Sequence, residues 1–394
     1  MNLKIKKLGD VCDFYNGKAH EKAISDSGEI KVVNSKFVSS EGVKYKLTEQ
    51  VIFPLFTGDI CLVMSDVPNG KTLAKCFLVD ADDTYSLNQR ICAIRSNQFD
   101  VKFLFYQLNR HPFLLDFNNG ENQTNLRKAD ILNCPLWVPP ISEQKRIVTL
   151  LDTVFADIEQ TRAKTEQNLI NARELFDSYL QQVFSQKGEG WEQKKWGDMC
   201  KFIRGPFGGS LKKSMFKPEG YAVYEQKHAI HDHIEQLRYF VDEEKFEEMK
   251  RFELKPGELI MSCSGVTLGR ASVIPEGAPK GIINQALLKL TANDDLDIHF
   301  LKYWIRSKIF QDIIFEHAGG AAIPNVPAAK ILKEIKLQIP TVEKQKIIVS
   351  EIDSMVSKRD SLLRIYTEKL AALDELKKSI LQKAFSGELT TKAE

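Results

Sequence analysis

A long stretch with a helical pattern occurs twice in this chain. Glu143-Gln144-Lys145-Arg146-Ile147-Val148 opens a run that ends Glu174-Leu175-Phe176-Asp177-Ser178-Tyr179-Leu180-Gln181-Gln182-Val183-Phe184-Ser185. Lys344-Gln345-Lys346-Ile347-Ile348-Val349 opens another, which ends Glu375-Leu376-Lys377-Lys378-Ser379-Ile380-Leu381-Gln382-Lys383-Ala384-Phe385-Ser386. Lys145 and Lys346 stand 201 residues apart, as do Phe184 and Phe385, so the two stretches align without a gap. A repeat this regular has to be read first, because each half must then fold on one plan.

Each run follows a Pro, has a polar first turn, and meets no Gly or Pro until Gly188 and Gly387. Ile147, Leu151, Val154, Ile158, Ala172, Phe176, Tyr179 and Val183 recur at three- and four-residue spacing, the pattern of a coiled-coil seam. Thr161, Thr165 and Asn168 fill its middle positions. In the second run Ile348, Ile352, Met355, Leu362, Tyr366, Leu370, Leu373 and Ile380 form the seam, broken by Arg359 and Lys377. One apolar stripe alone reads as ordinary core, but two matched stripes weaken that reading.

With 394 residues and 43% hydrophobic content, the chain has material for two or three cores besides the helices. No apolar run approaches a membrane span, and Met1-Asn2-Leu3-Lys4-Ile5-Lys6-Lys7 lacks the apolar stretch of a signal peptide, so a cytoplasmic location is expected. The seven Cys, at 12, 61, 76, 92, 134, 200 and 263, form no Cys-x-x-Cys pair and read as reduced, buried thiols. A net charge of +2 does not announce a polyanion partner, so the distribution of charge has to decide.

The blocks before the two helices share an order. Leu8-Gly9-Asp10-Val11-Cys12-Asp13-Phe14-Tyr15-Asn16-Gly17 matches Trp196-Gly197-Asp198-Met199-Cys200-Lys201-Phe202-Ile203-Arg204-Gly205. The strand Gly58 to Met64, followed by the turn Pro68-Asn69-Gly70, has its counterpart in Gly257 to Ser262. Ser86 to Ile94 reads as an alternating strand, and Asn284-Gln285 repeats its Asn88-Gln89. Short helices are expected over Asp100 to Leu108 and Asp297 to Ile305, with a loop from Asn118 to Lys128. Ala329-Lys330-Ile331-Leu332 echoes Ala129-Asp130-Ile131-Leu132 before each long helix. Framework residues agree while loop residues differ, as expected of one scaffold that serves two ligand sites.

On these features the whole chain resembles the specificity subunit of a Type I restriction-modification enzyme. The resemblance implies an α+β architecture of two α/β target recognition domains related by the internal repeat, separated by two long helices packed as an antiparallel coiled coil. The domains would be residues 1–138 and 191–338, the helices 139–185 and 339–386, with a linker at 186–190 and a tail at 387–394. Arg204-Gly205-Pro206-Phe207-Gly208-Gly209-Ser210-Leu211-Lys212-Lys213-Ser214 resembles the opening of many such domains, whereas the first half departs there with Asn16-Gly17-Lys18-Ala19-His20.

No catalytic constellation accompanies this frame. Val138-Pro139-Pro140-Ile141 lacks the Asp or Asn and the aromatic of an amino-methyltransferase motif, and Gly205 to Ser214 lacks the Gly-Lys-Ser/Thr of a phosphate loop. His228, His231 and His233 fit no common zinc spacing and read instead as polar loop residues facing DNA. Candidate DNA contacts are Lys18, Lys71, Arg127 and Lys128 in the first half. Arg204, Lys212, Lys213, Gln226, Lys227, Ser264 and Arg270 are those in the second. Arg and Lys suit guanine edges or phosphates, and Gln suits adenine. The resemblance implies double-stranded DNA, methyltransferase subunits and restriction-translocase subunits as partners. S-adenosylmethionine, ATP and Mg would belong to those subunits, with no cofactor in this chain. A structural adaptor with dimerising helices and protein-binding domains is the alternative.

Overall fold

The computed structural model describes residues 4–67, 70–186, 188–207, 209–317 and 324–389. Pro68 and Asn69 of the expected turn, Lys187 of the linker, Gly208 and the tail from Thr390 lie outside the described residues. The chain divides into two compact units, Met1–Thr165 with Lys369–Glu394, and Glu166–Glu368. Each holds one globular block together with part of both long helices, α1 (Ile141–Ser185) and α2 (Val342–Phe385).

In the first unit, β1 (Asp13–Asn16), β2 (Ile60–Val63), β3 (Cys76–Leu78) and β4 (Ile91–Arg95) form an antiparallel sheet in the order β1-β4-β2-β3. Every residue of β2 is buried, because each face of the sheet has its own core. Ile60, Leu62, Cys92 and Ile94 join the core beneath the helices, while Cys61, Val63, Ile91 and Ala93 join a second with Phe37, Val38 and Leu87. Double burial also corrects the reading of Ser86 to Ile94 as one alternating strand. Tyr85–Leu87 and Ile91–Arg95 are separate strands, and the Asn88 turn carries the chain from one sheet to the next. Tyr85–Leu87 pairs in parallel with Ile30–Val33 and so builds a smaller sheet alongside. The loop expected from Asn118 to Lys128 also contains a short strand, Thr124–Asn125, paired with Ser65–Asp66.

The second unit repeats the plan. Its strands β5 (Cys200–Arg204), β6 (Leu259–Ser262), β7 (Ala271–Val273) and β8 (Leu287–Ala292) take the order β5-β8-β6-β7, and Tyr221–Tyr224 pairs in parallel with Gly281–Ile283. Trp196 is fully buried, with Phe202, Trp304 and Phe310 edge-on to its ring at 4.8 to 5.5 Å.

Each long helix is fastened to its own block by a buried glutamine. The Gln144 side chain accepts from the Asp100 backbone N–H at 2.7 Å and donates to the carbonyls of Pro139 (2.9 Å) and Gln98 (3.3 Å). Gln345 accepts from the Asp297 N–H at 2.8 Å and donates to Pro340 (2.9 Å) and Asp295 (3.0 Å). Asp100 and Asp297 in turn cap the helices Val101–Leu108 and Ile298–Arg306. From those helices Tyr106 donates to Asp152 at 2.5 Å, and Tyr303 donates to Asp353. Burial, with Asp152 beside it, pushes the Tyr106 hydroxyl well above its ordinary pKa and keeps it a donor.

The two long helices run antiparallel within each unit. Glu159 meets Lys377 and Arg162 meets Asp374 in the first; Phe176 lies under Arg359 and Tyr179 lines a groove with Glu351 and Met355 in the second. Ile147, Leu151, Ile158, Ala172, Phe176 and Val183 are buried as the seam requires, and Thr165 joins them by donating to the Thr161 carbonyl. Asn168 and Leu362 are exposed instead. Straight helices drift about 20° per heptad from a strict 3.5-residue repeat, so positions extrapolated across the polar middle leave the seam.

Candidate nucleic-acid interface

The two ends of each four-stranded sheet do different work. After β4 the chain passes to Gln98 and Asp100, where Gln144 docks the long helix. At the opposite end, loops leave β1 and β2 and enter β3 and β4. That end gathers Lys18 and Lys71, with Arg127 delivered there by the Ser65–Asp66 pairing to Thr124–Asn125. Lys128 reaches along β1 to lie 5.4 Å from the Phe14 ring. The second unit places Arg204 at the end of β5, Ser264 after β6 and Arg270 before β7, again at one end of the sheet.

A glycine sets the first of these loops in both units. Gly17 donates to the Ile91 carbonyl and Gly205 to that of Leu287. A Cβ would fall 2.1 Å from the Asn88 carbonyl oxygen at Gly17 and 1.9 Å from that of Asn284 at Gly205, so no other residue permits the approach. Beyond Gly17, His20 is buried; its Nδ1–H donates to the Lys18 carbonyl at 2.6 Å, and its Nε2 accepts from the Ser86 hydroxyl at 2.7 Å. Ser86 Oγ also accepts from the N–H groups of Ile52 and Phe53 at 3.1 Å, so the backbone of Lys18 is held while its ammonium projects into solvent.

The loop after β2 is held by Asp66, whose carboxylate accepts from the backbone N–H groups of Val67, Thr72 and Leu73. Burial works to raise its pKa, but the Thr72, Leu73 and Val67 bonds prevail and keep it below the usual range. Arg110 donates to the Lys71 carbonyl at 2.7 Å, fixing the loop that carries the exposed Lys71 side chain. Arg127 and Lys128 have no cationic counterpart in the second unit. Leu126 donates to Met64 as Val326 donates to Cys263, which sets Pro327 and Ala328 in their places.

In the second unit, Gln226 and Ser264 come together, with Gln226 Nε2 donating to the Ser264 carbonyl at 2.6 Å and the Ser264 hydroxyl donating to Gln226 Oε1 at 3.1 Å. Lys212, Lys213, Arg204 and Arg270 are exposed. Lys227 is not, being turned back to the Gln236 carbonyl at 2.5 Å and to Glu225. The reading of the three histidines as loop residues facing DNA fails for His228, which is 1% exposed and accepts from the Glu225 N–H at 2.9 Å. His231 and His233 stack with centroids 5.8 Å apart, and no group of three metal-binding side chains occurs among the described residues.

Two features escaped the sequence. Val67 and Val266 occupy the same position after β2 and β6, and both are exposed, at 63% and 86%. A cleft of about 530 Å³ opens in the first unit among His20, Asn34, Lys36, Lys46, Asn88 and Arg90. Six of the seven cysteines are buried, and burial pushes the Cys92 thiol up to about 12.

The sequence profile of the family described as Type I restriction modification DNA specificity domain matches residues 2–168 and again 188–368. The EcoBI specificity subunit of Escherichia coli is 23% identical over 335 residues, covering 77% of this chain and 69% of that one. The MjaX subunit of Methanocaldococcus jannaschii, described as a putative specificity subunit, is 22% identical, covering 94% of this chain and 86% of its own. Among solved structures, a chain from work on complex assembly and conformational transition of the type I R-M system superposes with a TM-score of 0.78 at 21% identity, over 99% of this chain and 100% of that chain. The HsdS subunit from Thermoanaerobacter tengcongensis gives 0.62 at 20%, over 98% and 97%.

Proposed function

The chain belongs to the family of Type I restriction modification DNA specificity domains, and from that premise we propose that it reads a bipartite DNA target, one half with each unit, and docks the subunits that act on it. The observation that carries this reading is the repeated sheet end, where one glycine-set framework presents unlike loops: Lys18, Lys71 and Arg127 in one unit, Arg204, Gln226–Ser264 and Arg270 in the other. Phosphate contacts fix register, and differing loop residues on a common frame discriminate bases.

Methyltransferase and restriction-translocase subunits are the partners we propose, and S-adenosylmethionine, ATP and Mg are theirs. The apolar side chains left outward on the long helices, Leu175, Ile347 and Ile365, support protein docking there. No helix among the described residues is long and apolar enough to cross a membrane, and a cytoplasmic location follows from the DNA target. Incubation of the purified chain with DNA and labelled S-adenosylmethionine tests its lack of chemistry. No methyl transfer is expected until methyltransferase subunits are added, and transfer by the chain alone would overturn the assignment.

Lys212 and Lys213 are exposed and unpaired among the described residues, so they are assigned to phosphates. Changing both to Ala is expected to weaken binding alike at cognate and random duplexes, flattening the slope of log K against log salt by about 2. Titration of labelled duplex across salt concentrations checks this. Weakening confined to the cognate site would mean that they touch bases.

A further inference from the structure

The cleft of the first unit and its counterpart in the second differ in charge while sharing a backbone. Val32 donates to the Lys46 carbonyl at 2.9 Å as Val223 donates to that of Tyr239, and Asn88 donates to Val33 at 3.1 Å as Asn284 does to Tyr224 at 3.0 Å. These bonds superimpose Asn34 on Glu225, Lys36 on Lys227, Lys46 on Tyr239 and Arg90 on Ala286.

In the first unit the three cations Lys36, Lys46 and Arg90 are exposed around the cleft, and none has an ion-pair partner among the described residues. The carboxylate on the rim, Glu21, accepts from Gln89 Nε2 at 3.1 Å. Asn34 spends its Oδ1 on the Phe37 N–H and brings no charge. In the second unit Glu225 stands in the Asn34 position and gathers the local cations to itself. Arg238 grips it through Nε at 2.9 Å and Nη2 at 2.8 Å, and Lys227 approaches to 4.0 Å. Arg238 also lies over the Tyr239 ring, 4.8 Å from its centroid, on the residue that replaces Lys46. Cations converging on a concave surface repel one another unless an anion sits among them. In the second unit Glu225 stands among its two cations, whereas in the first the three cations outnumber the one rim carboxylate, Glu21, which pairs with none of them among the described residues.

Resting on the DNA-reading function, we propose that the cleft of the first unit seats backbone phosphate of double-stranded DNA, and that the second unit, having closed the same place with Glu225, binds DNA without such a seat. The two halves of the target are therefore held unequally. The first contributes more of the salt-dependent affinity, and the second relies more on neutral contacts such as the Gln226–Ser264 pair.

The test uses the full chain with its methyltransferase subunits and a fluorescent random-sequence duplex of about three helical turns, titrated between 50 and 200 mM KCl. Changing Lys36, Lys46 and Arg90 together to Ala is expected to flatten the salt slope by about 2 to 3, so that the variant loses roughly 40-fold less affinity across that range than the parent. Lys227→Ala with Arg238→Ala, the mirror variant, is expected to leave the slope within about 0.5 of the parent, because those charges are already neutralised internally. All five side chains lie at the surface or its margin, and unchanged thermal melting shows that each variant folds. A triple variant with the parent's slope overturns the phosphate seat, and equal flattening by both variants overturns the inequality of the halves. A parent complex that binds no duplex at all would instead remove the DNA-reading function on which the inference stands.

Discussion

Replacing Gln144 by Glu is expected to loosen the docking of α1 on its block by about 3 kcal/mol or more, although the two side chains have nearly the same shape. The amide of Gln144 is fully buried and makes one accepted and two donated bonds. A carboxylate retains only the first. Its other oxygen would face the carbonyls of Pro139 and Gln98, leaving two acceptors without donors and a charge without solvent. Amide hydrogen exchange across Val101–Leu108 and the first turns of α1 measures the effect, with local opening expected roughly 100-fold more often, since each 1.4 kcal/mol is tenfold. Burial raises the pKa of the introduced carboxyl in the folded state above its unfolded value of about 4.3. Stability is therefore partly regained below about pH 4, where the protonated group donates to one carbonyl, and it is lost as pH rises through the folded pKa. Gln345→Glu is expected to act in the same way on Ile298–Arg306, through Asp297 and Asp295. Unchanged exchange in both variants would show that the glutamines do not fasten the helices.

Only half of this clamp is legible in the sequence. Gln144 and Gln345 were visible as members of an ungapped repeat, 201 residues apart, because helices tolerate no insertion without turning their apolar face away. What the glutamines do was not visible, since their partners are backbone groups that carry no sequence signal. In the blocks the spacing drifts from 188 residues at Gly17 and Gly205 to 196 at Asn88 and Asn284 and 199 at Ile60 and Leu259. The drift arises in loops between strands, which absorb length freely and carry the residues assigned to DNA.

The candidate contacts were legible to the extent that single residues betray exposure. Arg204, Lys212, Lys213 and Arg270 read as loop cations and are exposed. Lys227 read the same way, yet Glu225 and Gln236 hold it, because an ion pair with a residue two positions away cannot be told from a free charge in the sequence. The cationic cleft was missed for the opposite reason. Lys36, Lys46 and Arg90 look unrelated until the parallel pairing of Ile30–Val33 with Tyr85–Leu87 draws their segments together. Val67 and Val266 left a signal that could have been used, an apolar residue at one offset in two otherwise unlike polar loops.

The largest functional effect is expected from exchanging one recognition block for that of a relative while keeping both long helices and their glutamine clamps. Because each block carries its own sheets, its own loops and a core of its own on one side of the main sheet, sharing only the core on the other side with the long helices, the graft inherits its loops complete. The half-site read by the replaced block should change to that of the donor, and a single mismatched base pair already costs about 1–3 kcal/mol, so the original half-site should be lost altogether. Mapping methylated bases across a genome that carries the assembled system, before and after exchange of residues 1–138, shows which half-site each block reads. The expected result is a bipartite target in which one half is replaced and the other, read by the second unit, is preserved base for base. A target altered in both halves, or altered in neither, would contradict it.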